Sequence, residues 1–159
     1  MRRIVMLLTG IGVLLMINLS IVQKERVLAN GRVALLQLAP VDPRSLMQGD
    51  YMALRFQLEG MVPVSENLRD GRMVVAADDR GVATFRRLDT GGPLAGDEFR
   101  LRYRVRAGRV KLGTNAFFFQ EGHGGDYRGA AFGEARVDEN GEMLLTGLRD
   151  RDLKKLGPR

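Results

Sequence analysis

The chain has 159 residues, a formal net charge of +6, one histidine and no cysteine. Disulfides, thiol catalysis and metal sites built on cysteine or paired histidine are thereby excluded. The length suits one domain with its own core, and setting Arg2 and Arg3 aside leaves a charge of about +4, so no nucleic-acid partner is expected.

Ile4 to Val22 carry no charge. As a helix at about 1.5 Å per residue this run measures roughly 28 Å, close to the hydrocarbon thickness of a bilayer. Thr9, Gly10, Gly12, Asn18 and Ser20 dilute it. A cleaved signal peptide competes as a reading, with Val27 to Ala29 as its site, but the charged stretch Gln23-Lys24-Glu25-Arg26 and the long apolar run favour an uncleaved anchor over residues 1–29, spanning 4–22. Arg2 and Arg3 favour a cytoplasmic N-terminus. The expected location is thus an inner, cytoplasmic membrane crossed once, with residues 30–149 as an extracytoplasmic domain and 150–159 as a charged tail.

The helix is expected to continue to a stop at Asn30-Gly31, followed by a strand in "RVALLQLAP" and a helical turn in "VDPRSLMQGD" that Asp42 caps and Pro43 begins. From Asp50 the pattern alternates, with Met52, Leu54, Phe56 and Leu58 on one face. "RMVVAA" and "VATFRRL" read as a hairpin across Asp79-Arg80-Gly81. Glu98 to Arg106 is the clearest strand, with Phe99, Leu101, Tyr103 and Val105 facing one way. A turn at Ala107-Gly108, a buried strand in "AFFFQ", a glycine-rich loop holding a helical turn, and a hairpin around Asn140-Gly141 complete the chain. The fold class is mainly β: a transmembrane helix, then one small antiparallel β domain, a partly open barrel or sandwich with one or two short helical turns.

Two stretches share Gly-Asp-x-x-x-Leu-Arg-aromatic, one beginning at Gly49 and the other at Gly96. Each reads as a strand-initiating turn, with positive φ at the glycine and an aspartate accepting backbone N–H groups. The first differs by carrying Tyr51, so Asp50 and Tyr51 are candidate ligand or partner residues. Glu121, His123 and Asp126 join them, because carboxylates and an imidazole on one loop suit a polar ligand; a divalent ion is weighed, but one histidine supports it poorly and no metal or cofactor is expected. Arg100, Arg102, Arg104 and Arg106 line one strand face, extended by Arg109 and Lys111. They read as a wet sheet face partly paired with Asp78-Asp79, or as a contact for anionic lipid headgroups.

"VDPRSLMQGDYMALRF" resembles the signature of the GDYXXLXY family of membrane-anchored bacterial proteins: Gly49, Asp50, Tyr51 and Leu54 match, while Phe56 stands for the final tyrosine. The stretch from "AFFFQ" to "LLTGL" is similar to that family's C-terminal half. The resemblance implies an anchored exported domain and partnership with multi-pass membrane proteins, and it supplies no catalytic residues. A fainter echo of the type I signal peptidase β-fold lacks its catalytic pair: Ser45 lies too near Gly49, and only Lys111 sits in a strand. The expected function is a non-enzymatic accessory or interaction domain acting with a membrane protein. The alternative is a small-ligand binder or hydrolytic enzyme with a site at Asp50, Tyr51, Glu121 and His123.

Overall fold

The structure, a computed structural model, describes residues 2–39, 47–48, 51–63 and 69–158. Gly49, Asp50, the Asp42-Pro43 turn and Ser45 lie outside them.

Helix α1, Arg2–Asn30, is a single unbroken rod. Among the described residues, one helix is long and apolar enough to cross a membrane, Ile4–Asn30, and its large apolar side chains from Ile4 to Val22 are exposed. The polar residues that dilute it are satisfied within it. Thr9 and Ser20 hydroxyls and the Asn18 amide donate to the carbonyls of Val5, Met16 and Leu14, at 2.9, 2.9 and 2.8 Å. That lowers the cost of placing them in lipid, where an unmatched polar group costs several kcal/mol. The helix ends at Gly31, whose N–H donates to the Val27 carbonyl.

Among the described residues eleven strands follow: β1 Arg32–Gln37, β2 Met47–Gln48, β3 Tyr51–Ala53, β4 Gly71–Ala77, β5 Ala83–Leu88, β6 Glu98–Arg106, β7 Arg109–Leu112, β8 Ala116–Phe118, β9 Phe132–Val137, β10 Met143–Arg149 and β11 Lys155–Leu156. They form two four-stranded antiparallel sheets, β1-β9-β10-β11 and β5-β4-β6-β7, and a three-stranded sheet β2-β3-β8. Short 3-10 turns lie at Gln57–Gly60 and His123–Tyr127. The domain is mainly β, as the alternating sequence predicts. The two larger sheets act as half-barrels around one core that includes Leu36, Phe56, Met73, Leu101, Leu112 and Leu148.

Backbone bonds from two turns join the half-barrels. The Leu35 N–H donates to the Gly81 carbonyl in the β4–β5 turn, and the Arg102 N–H to the Gly141 carbonyl in the β9–β10 turn, each at 2.8 Å. Those turns share a build. Asp78 Oδ1 accepts the N–H groups of Arg80 and Val82, and Asp138 Oδ1 those of Asn140 and Glu142. Asp150 does the same for Asp152 and Lys154, turning the charged tail back so that β11 adds to β10. A carboxylate accepting two backbone N–H groups organises a tight turn without a helix.

Three local expectations are corrected. Gly96 does not have a positive φ, and the Asp97 carboxylate makes no hydrogen bond among the described residues. Glu98 fills that place, accepting the Ala95 N–H at 3.0 Å, because its longer side chain folds back over the turn while Arg87 holds it. "AFFFQ" is not a buried strand. Alternation turns Phe118 outward at 73% exposure, leaving Phe117 and Phe119 against the core. The alternation from Met52 to Leu58 survives in burial, but the strand stops at Ala53 and the chain turns at Gln57.

Candidate functional site

The family-type motif divides into buried and open positions. Leu54 and Phe56 are core residues, and Phe56, 1% exposed, packs where a Cβ at Gly133 would come within 2.9 Å of its ring. A phenolic hydroxyl in that enclosed place would need its own partner, so phenylalanine suits it. Tyr51 points the other way, 36% exposed, beside Phe118, its partner in the β3–β8 ladder. Asp50 lies outside the described residues.

The 121–127 loop is organised from below. Tyr127 is buried between Phe117 and Phe119, with ring centroids at 5.2 and 5.4 Å. His123 Nδ1 lies 2.9 Å from Asp126 Oδ2, and Glu121 is exposed and makes no ion pair among the described residues. Among those residues no three carboxylate or imidazole groups converge as a metal would need.

The arginines on β6 separate by position. Arg100, the most enclosed, bonds Asp89 at 2.9 Å and the Gly92 carbonyl. Asp89, whose side chain is 2% exposed, also meets Arg72 at 3.1 Å. Enclosure pushes its carboxyl up, but the Gly91 N–H and the Arg100 and Arg72 guanidinium groups outweigh it and hold it below the ordinary range. Arg106 meets Asp70, whose carboxyl is lowered chiefly by the Val105 N–H. Arg102 bonds Glu142, while Arg104 reaches the same carboxylate only at 4.0 Å. The expected partners Asp78 and Asp79 are not used. Asp78 is committed to its own turn, where it meets Arg80.

Arg102 and Arg104 open onto a cleft of about 1410 Å³ between β6, the β9–β10 turn and the last turns of α1. Gln23, Lys24, Arg26, Val27 and Asn30 form its helical wall, and Phe99 lies in it with the Arg32 guanidinium 4.8 Å above its ring. Tyr51, Glu121, His123 and Asp126 do not line it. Sequence reasoning missed this cleft. Its one signal was Lys24 and Arg26 directly after the apolar run, which reads by itself only as a topology cue.

An apolar helix fit for a bilayer, continuous with a small β domain that shows an aromatic pair and a cleft lined by both charges, defines a class: membrane-anchorable β proteins. The sequence profile of the GDYXXLXY proteins matches residues 13–148, most of the helix and nearly all of the β domain. This chain belongs to the GDYXXLXY family. No curated protein and no solved structure matches it.

Proposed function

We propose that this protein is a membrane-anchored accessory domain that acts, without catalysis of its own, on a multi-pass membrane protein. In this reading residues 4–22 cross the inner membrane of a bacterium, Arg2 and Arg3 stay in the cytoplasm, and the β domain stands on the periplasmic or otherwise extracytoplasmic side. The observation that supports it most is the stiff join between helix and domain. Val27 is only 8% exposed against the sheet, and Arg136 Nη1 donates to the Gly31 carbonyl at 3.0 Å. A helix that runs unbroken to Asn30 and locks there holds the domain close to the membrane surface, where a partner in the same bilayer lies within reach.

Tyr51 and Phe118 are the surface this reading assigns to the partner. Exposed aromatic pairs carry large apolar area at low entropic cost and are enriched in protein interfaces. The test is affinity purification from detergent-solubilised membranes. The wild-type chain should retain a multi-pass protein that the Tyr51→Ala/Phe118→Ala double variant loses. Recovery of the chain alone, or a substrate turnover that depends on His123 and Tyr51, would contradict it.

A further inference from the structure

The cleft beside α1 sits where a particular class of ligand is concentrated. Lys24 and Arg26 follow Val22 by two and four residues, so they stand roughly 3 and 6 Å beyond the apolar run. The headgroup layer on each side of a bilayer is about 5–8 Å deep. Both side chains project from the helical wall of the cleft, and neither makes an ion pair among the described residues. Across from them, Glu142 serves two guanidinium groups with one carboxylate and holds Arg102 more closely than Arg104. The cleft therefore presents cations from two sides, those of the helix at headgroup depth, with Arg104 on the sheet side half-exposed and held only at 4.0 Å by Glu142.

We propose that this cleft binds the phosphate of an anionic phospholipid headgroup, which Lys24 and Arg26 approach from the two flanks of the helical wall and Arg104 from β6. The proposal rests on the membrane anchoring set out above but not on any protein partner. A bound headgroup bridges helix and sheet, so the lipid fixes the angle at which the domain stands on the membrane. Four of the five carboxylates in the lining are engaged within the protein: Asp70, Asp89 and Glu142 meet arginines, and Asp138 accepts backbone N–H groups of its own turn.

The test uses the full chain in nanodiscs of phosphatidylcholine doped with phosphatidylglycerol, with native mass spectrometry reporting lipid retained on release. Wild-type protein should keep phosphatidylglycerol. Lys24→Gln/Arg26→Gln should weaken retention roughly thirtyfold, the attraction of two cations at a charged surface. Both side chains are exposed and without ion pairs, so thermal unfolding of the β domain should not move. Arg86→Gln/Arg109→Gln removes the same charge from exposed positions outside the cleft and should retain lipid like the wild type. Equal loss in both double variants would reduce the effect to general surface charge and overturn the proposal, as would undiminished retention in Lys24→Gln/Arg26→Gln. Neither result would touch the partner reading, which is scored by protein capture.

Discussion

Tyr51 and Phe118 face each other across the β3–β8 ladder, ring centroids 5.8 Å apart and planes inclined at 42°, on the side of the small sheet turned from the core. Cross-strand aromatic pairs contribute about 0.2–1 kcal/mol to a sheet. Tyr51→Ala and Phe118→Ala are each expected to lower stability by no more than about 1 kcal/mol, while Phe56→Ala, which empties a fully enclosed position, costs about 3–5 kcal/mol. Urea unfolding separates the two. A loss at Tyr51 as large as at Phe56 would make it a packing residue.

Acid should act on this domain in two opposite ways. Asp70, Asp78 and Asp89 sit below their ordinary value of 3.8 and Glu98 below 4.5, the last chiefly through Arg87. A carboxyl whose folded pKa is lowered stabilises fully above its unfolded value, and that stability is lost as pH falls through the lowered one. Glu59 has the other sign. Burial raises its carboxyl above 4.5, against the Leu112 N–H and Lys111, so its ionised form costs stability at neutral pH. As pH falls through the raised value toward 4.5 that cost disappears. Stability should therefore rise slightly below neutral and then fall below about pH 4. Glu59→Gln should remove the rise and leave the fall. Identical monotonic profiles for the two proteins would contradict this assignment.

The β6 arginines should not behave alike. Arg100→Gln leaves the enclosed Asp89 with the Arg72 guanidinium and the Gly91 N–H and is expected to cost about 1–3 kcal/mol. Arg104→Gln removes a long, half-exposed contact and should stay within about 0.5 kcal/mol. Thermal denaturation of the single variants decides it, and equal effects would mean that position along the strand is immaterial.

The turns offer a cleaner comparison. Asp78→Ala and Asp138→Ala each remove an acceptor of two backbone N–H groups and should cost on the order of 1–2 kcal/mol, whereas Asp97→Asn, with no such bond to lose, should be silent. Ala107 holds φ 50 beside Gly108 at φ 70, a pair of left-handed residues closing β6 onto β7. Ala107→Asn should raise stability by about 0.5–1 kcal/mol, because asparagine tolerates that conformation better. Chemical denaturation measures both, and a destabilising Ala107→Asn would rule out backbone strain there.

These contrasts show which features a sequence displays and which it hides. Strand β6 and the two hairpins are legible because period-two alternation and Gly-bearing turns are local signals, whereas the register shifts inside β4–β5 and β9–β10 are not. The Gly96-Asp97 turn departs from expectation because two short segments can share letters while different side chains close them: Glu98, one position on, has the reach. The outward turn of Phe118 is hidden in the sequence because a run of three aromatics masks alternation. The cleft is invisible in the sequence, since its walls come from the helix end, β6 and the β9–β10 turn, segments far apart in the chain that tertiary contacts such as Arg102 bonding to Gly141 and Val27 seating on the sheet bring together.

Anchoring has its own test. A reporter active only outside the cytoplasm, fused after Arg159, should be active, and protein extracted from membranes should retain Met1 to Ala29. A mature chain beginning at Asn30 would mean that the helix is a cleaved signal.

The central claim, that the exposed aromatic pair of an anchored domain touches a membrane protein, is tested most directly by photo-crosslinking in intact membranes. A photoreactive phenylalanine at position 118 should give one discrete adduct with a multi-pass membrane protein. The same group at Thr84, an exposed position on β5 in the β5-β4-β6-β7 half-barrel, should give none. Adducts at both positions alike, or at neither, would contradict the account.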